Sequence, residues 1–142
     1  MPGIIVGVDG SEHSRQALDW ALHEAGLQQA PVTVICVHPA LVSYWGAVTY
    51  PDGDLETEHV REQVQALVDK AVSGMPGPVP PVTVRVTPGS PSTELISAAK
   101  DADMLVVGSR GSGGFARLLL GSVSSQVIHH ARCPVVVIPE HR

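Results

Sequence analysis

Five short apolar runs, rich in β-branched residues, punctuate the chain: Ile4–Val8, Val32–Val37, Val82–Val86, Met104–Val107 and Val135–Ile138. Each is bounded by Gly, Pro or Asp, as buried strands are. Between them apolar positions recur at helical spacing. Ala17, Leu18, Ala21, Leu22 and Ala25 share one face, with Ser11 placed to cap the start and Gly26 near the stop. Val60, Val64, Leu67, Val68 and Ala71 form a second stripe, which ends before the breaker-rich stretch Gly74 to Pro81. A third helix begins at Ser90 with Pro91 in its first position and buries Leu95, Ile96 and Ala99. A fourth follows Gly121-Ser122 and turns Val123, Val127, Ile128 and Ala131 inward. Strand and helix alternate throughout, which predicts an α/β fold: a three-layer sandwich, its five-stranded parallel sheet covered by helices on both faces.

Two segments break this alternation. Residues 39–54 hold Pro39, Tyr44, Trp45, Gly46, Tyr50, Pro51 and Gly53, and read as a long loop, which in a compact domain is usually functional or mobile. Gly108, Gly111, Gly113, Gly114 and Gly121 crowd the connection from the fourth strand to the fourth helix.

Composition narrows the choice of function. A length of 142 residues predicts one domain, spanning residues 1–142. With only five aromatics, the core must be built from Val, Ile, Leu and Ala, which suits parallel strands. Fourteen acids against nine bases give a net charge of -5, which argues against a nucleic-acid partner. No run approaches the roughly 20 apolar residues of a membrane span, and the N-terminus lacks the pattern of a signal peptide. Cys36 and Cys133 form no CxxC pair, and the seven histidines show no HxxxH or HExxH spacing. The expectation is a cytoplasmic protein without a metal held by protein ligands alone.

In an open parallel sheet, ligands bind beyond the carboxyl ends of the strands, where the strand order reverses. That rule selects Asp9-Gly10-Ser11, Val37-His38, Thr87-Pro88-Gly89 and the segment Gly108–Ser125. The last segment has the makings of a phosphate site. Glycines allow close backbone approach, successive N–H groups form anion-binding nests, and a helix opening at Ser122 presents free N–H groups and a favourable dipole. Ser122, Ser124, Ser125, Arg110 and Arg117 add donors and charge. The same composition also fits a plain loop leading into a serine-capped helix. Walker A needs a lysine that is missing here, and the GxGxx[GA] match of Gly111, Gly113 and Ala116 follows the wrong strand for a dinucleotide site. No G-x-S-x-G elbow is present.

The spacing Gly108-x2-Gly111-x9-Gly121-Ser122 is similar to the G-2x-G-9x-G(S/T) signature of ATP-binding universal stress proteins. Ile4 to Ser11 resembles that family's first strand and loop, and Cys133 to Pro139 resembles its last strand. The resemblance covers the whole chain. It implies a nucleotide-binding fold of the adenine nucleotide alpha hydrolase-like type, with ATP and Mg²⁺ as ligand. Asp9 would lie by the ribose or metal, while Gly7, Gly10 and Ser11 shape that strand end. Val37 would meet adenine through its backbone. Gly108, Ser109, Arg110, Gly111, Gly113, Gly121, Ser122, Val123 and Ser124 would surround the ribose and phosphates. His38-Pro39 stands where many relatives carry an apolar residue followed by Asp. The resemblance further implies a homodimer through the last strand, Pro134 to Ile138, and an unidentified protein partner in a stress response. Two alternatives are a nucleotide-independent dimeric interaction module and a slow ATP- or AMP-handling hydrolase. Nothing in the chain supplies the base and paired cations of efficient phosphoryl transfer.

Overall fold

The computed structural model describes residues 3–10, 12–38, 41–42, 48–49, 53–109 and 122–139. In chain order the elements are β1 (Ile4–Val8), α1 (Glu12–Gln28), β2 (Val32–His38), β3 (Leu41–Val42), β4 (Val48–Thr49) and α2 (Gly53–Ser73), followed by β5 (Val82–Pro88), α3 (Pro91–Ala98), β6 (Met104–Gly108), α4 (Ser122–His130) and β7 (Val135–Ile138). The five longer strands form one sheet in the order β5-β2-β1-β6-β7, every pair parallel.

Alternation along each strand builds two apolar layers. Ile4, Val6 and Val8 of β1, with Val34 and Cys36 of β2, pack against Leu18, Ala21 and Leu22 of α1 and Val64 and Val68 of α2. Ile5, Ile35, Val37, Leu105 and Val107 face the other way, toward Leu95 and Ala99 at α3 and Val127 of α4. Crossovers between parallel strands keep one hand. From β1 to β2 to β5 the chain moves in one direction across the sheet; from β5 to β6 to β7 it moves in the other. The same hand therefore puts α1 and α2 on one face and α3 and α4 on the opposite one, giving the three-layer α/β architecture that the strand–helix alternation implies.

Two local expectations need correction, while Gly26 lies near the end of α1 as expected without being the stop itself, since the helix continues to Gln28. A Cβ on Gly26 would sit 3.1 Å from the Pro78 carbonyl oxygen, so glycine here lets the 74–81 connection cross the helix closely. The stop is made by Gln29, which takes a left-handed conformation at φ 55° while the Ala30 N–H donates to the Ala25 carbonyl at 3.0 Å. That six-to-one bond is the closing bond of a Schellman motif, with a glutamine in the position glycine usually holds. Ile128 is 43% exposed rather than inward, because the burial of α4 runs through Val127 and the half-buried Val123. The 39–54 segment is not all loop: Leu41–Val42 pairs antiparallel with Val48–Thr49, and α2 already starts at Gly53. Tyr44, Trp45 and Tyr50 lie outside the described residues.

At the start of α3 the Ser90 side chain makes no capping bond, and the turn is opened by backbone and proline geometry instead. Ser90 is extended, with Pro91 at the first turn, and the Glu94 N–H makes the opening bond to the Ser90 carbonyl at 3.0 Å. The Ser11 cap expected for α1 lies outside the described residues.

A non-glycine residue in the left-handed region carries a steric cost that glycine avoids, offset in part by the greater freedom of glycine in the unfolded chain. Gln29→Gly is expected to stabilise the fold by about 0.5–1 kcal/mol, read as a rise in the urea midpoint at unchanged slope.

Candidate functional site at the carboxyl ends of β1 and β6

The sheet opens at the end of β1. Toward β6, the register of β1 ends at Val6↔Val106, and beyond it Val107 and Gly108 pair only with Val137 and Ile138 of β7. Toward β2 it ends at Val8↔Cys36, and beyond it Val37 and His38 pair only with Thr87 and Pro88 of β5. β1 thus stays on β2 to its last residue but parts from β6 two residues earlier, so the sheet opens in a crevice between β1 and β6, where the strand order reverses and α/β sheets bind ligands.

Asp9 and Gly10 continue β1 into this crevice, and both are exposed. Gly10 has φ 83°, a conformation that L side chains rarely adopt, and nothing lies within 4 Å of a Cβ built there. Its requirement is therefore conformational: it turns the chain sharply after Asp9. Gly7 has a different requirement. A Cβ on it would lie 2.8 Å from Leu95 Cδ1, so Gly7 makes room for a buried side chain of α3 rather than for a ligand. No local sequence signal pairs these two residues.

On the β6 side, Gly108 ends the strand half-buried and Ser109 follows, buried. The Ser109 N–H donates to the Ile138 carbonyl at 2.9 Å. The Ser109 carbonyl in turn accepts from the Ser124 hydroxyl at 3.4 Å. Ser124 is 2% exposed, so its hydroxyl binds the first turn of α4 to the end of β6. Ser122 is exposed and Val123 half-buried at the start of α4, whose first turn carries no acidic residue, unlike that of α3 with Glu94. The first N–H groups of a helix have no partner within it, so α4 turns a donor-rich, acid-free end toward the crevice. The structure thus brings Asp9, Gly10, Gly108, Ser109, Ser122, Val123 and Ser124 to one end of the sheet. Val37 stands at that end too, but its side chain is core. Ser11, Arg110, Gly111, Gly113 and Gly121 lie outside the described residues.

Cys36 stands at the last register position shared with β1, opposite Val8, the residue before Asp9. Burial, reinforced by the Asp9 carboxylate, pushes its thiol up from 9.0 to about 11. Cys36 is a core residue and also an electrostatic neighbour of Asp9. Cys133, half-buried near the start of β7, is raised by desolvation alone. Among the described residues no three His, Cys, Asp or Glu side chains come together as a metal site would need, and no helix is long and apolar enough to cross a membrane.

Sheet order and register define a doubly wound α/β protein whose strand order reverses between β1 and β6. The chain belongs to the universal stress protein family, whose model matches residues 2–139. A universal stress protein of Mycolicibacterium smegmatis is 40% identical over 141 residues, covering 96% of this chain and 47% of that protein. The chain therefore spans about half the length of this curated relative. Among solved structures, the universal stress protein UspA from Lactobacillus plantarum superposes with a TM-score of 0.77 at 25% identity, covering 95% of each chain. Two others at 24% identity share the fold: a universal stress protein in complex with cAMP (TM-score 0.68, 98% of each chain) and the Archaeoglobus fulgidus protein in complex with dAMP (TM-score 0.65, 97% of this chain and 98% of that one).

The raised Cys36 thiol gives a signed pH dependence. The native state holds this proton more tightly than the unfolded chain, so the associated stability is complete below pH 9.0 and is lost as pH rises through about 11. Cys36→Ala should flatten the alkaline fall in stability across that window, measured by urea unfolding at pH 8 and pH 10.5. In the native protein at pH 8, iodoacetamide should label Cys133 well before Cys36.

Proposed function

We propose that this chain binds an adenine nucleotide, ATP with Mg²⁺, in the crevice between β1 and β6, and acts as a homodimer whose nucleotide state regulates a stress response through a protein partner. The observation that carries this reading is the parting of β1 from β6 beside the acid-free first turn of α4. A phosphate chain suits that end of α4, where backbone N–H groups and the helix dipole favour negative charge. Ser122 offers an exposed hydroxyl there, and Gly108 leaves the strand end without a side chain. Arg110, Gly111, Gly113 and Gly121 complete the loop that the family signature assigns to ribose and phosphates. Asp9 fits the ribose hydroxyls or a nucleotide-borne Mg²⁺. Val37 offers backbone groups to adenine, since its side chain is committed to the core. The cAMP and dAMP held by two proteins of this fold support an adenine nucleotide as the ligand class. Bound Mg²⁺ would neutralise phosphate charge; the chain's own part is to orient the nucleotide through backbone donors.

The first test is to denature the purified protein and identify any released nucleotide by chromatography and mass spectrometry. Near-stoichiometric adenine nucleotide, or a melting temperature that rises with excess Mg-ATP as linkage requires, is expected. The combined variant Gly108→Ala/Gly121→Ala should lower ATP affinity by roughly tenfold or more, equivalent to ~1.4 kcal/mol. An empty protein whose melting is indifferent to Mg-ATP overturns the assignment in favour of a nucleotide-independent module.

For the dimer, β7 is an apolar edge strand whose four side chains are all half-buried. The Ile138 carbonyl accepts from β6 and the Pro134 carbonyl does the same, so Val135 and Val137 direct their backbone groups away from the sheet. Val137→Pro removes an outward N–H while keeping every bond to β6. It should convert a dimer to a monomer in sedimentation with unchanged far-UV circular dichroism.

A further inference from the structure

The sheet has a second edge, β5, and the two edges differ. The Val32 N–H donates to the Pro81 carbonyl at 2.9 Å. Backbone groups on a parallel strand alternate sides, so residues 83, 85 and 87 address β2 while Val82, Val84 and Val86 address the open edge. Such a row of outward N–H and C=O groups is a template for another strand. At the middle of this row stands Arg61 of α2, whose Nη1 donates to the Val84 carbonyl at 3.3 Å. Its Nε lies 3.7 Å from Glu58 Oε1, one turn away on the same helix. The guanidinium therefore spans from the helix layer over the strand edge and occupies an acceptor that an incoming strand would need. The side chains of β5 reinforce this: Thr83 and the charged Arg85 are exposed. At β7 the outward groups of Val135 and Val137 receive no hydrogen bond from any described residue, and the side chains there are all apolar.

We infer that Arg61 closes the β5 edge, so that a second copy of this chain can pair only at β7. The inference rests on the proposed pairing through β7 and adds what limits it. A chain with one open edge pairs with itself across a two-fold axis and stops. A chain with two different open edges can add copies head to tail without closing. Arg61 thus sets assembly size without touching the interface it protects.

The test measures weight-average mass by sedimentation over a wide concentration range for the parent protein, Arg61→Met, Arg61→Lys, and Arg61→Met combined with Val137→Pro. Methionine keeps an apolar stem over the edge and removes the donor; lysine keeps a donor. The parent and Arg61→Lys should stop at a dimer, while Arg61→Met should climb beyond it as concentration rises. The combined variant should fall back to a dimer or less, because only the β5 edge remains. Far-UV circular dichroism matched to the parent establishes folding, and Arg61→Gln, which retains a neutral donor, replaces the methionine variant if that fails, with intermediate growth expected. An Arg61→Met protein with the parent's mass at every concentration overturns the inference. A monomeric parent would instead remove the β7 pairing, and the role of Arg61 would then be read from whether Arg61→Met gains a dimer or stays monomeric.

Discussion

β1 is held on both sides at its start and by β2 alone at its end. Ile4, Ile5 and Val6 pair with β2 and β6 together, whereas Val8 has only Cys36 for a register partner and Asp9 has left the sheet. This follows from the strand order: β1 is first in sequence and central in space, so the chain must leave it in one direction and later return along the other. The helices follow suit, two to each face. The crevice follows from the order of the strands. It is set by topology: Asp9 and Gly10 follow β1, Ser109 follows β6, and the Ser124 hydroxyl holds the start of α4 beside Ser109.

The strands and the central helices were legible in the sequence because their burial is local and periodic. Val6 and Val34 are core wherever a parallel sheet is covered on both faces, and Ala21 and Leu22 fall on the one stripe α1 can bury. What was not legible depended on contacts between distant residues. Gly26 marks the neighbourhood of the stop, yet its own role is as a point of passage for Pro78, and the stop is a glutamine that no propensity would select. Ile128 has the spacing of an inward residue, but α4 is short and Val127 already meets the core. The β3–β4 pairing rests on two residues from each side, too short for periodicity to register.

The candidate site divides in the same way. The glycine spacing and the Asp-Gly after β1 point to the carboxyl end of the sheet, where β1 and β6 part. They do not separate residues that meet a ligand from residues that shape the site. Gly7 is small because Leu95 needs the space, and the Ser124 hydroxyl is turned to the Ser109 carbonyl. Those roles become visible only when α3 and α4 are placed against the sheet. Arg61 is a similar case: as a charged residue on an exposed helix it reads as solvent-facing, and its contact with Val84 spans 23 positions of sequence.

The peptide unit of Ser109 has one further consequence. Its N–H is committed to Ile138 in the last strand and its carbonyl to Ser124 in the last helix. Anything that draws this backbone toward the crevice pulls on the strand that forms the rim of the sheet, and anything that stiffens the rim restrains the crevice. Energetic coupling between two binding events is reciprocal, so a chain wired in this way would report the presence of a neighbour as a change in small-molecule affinity, and the arrival of a small molecule as a change in how firmly it grips that neighbour.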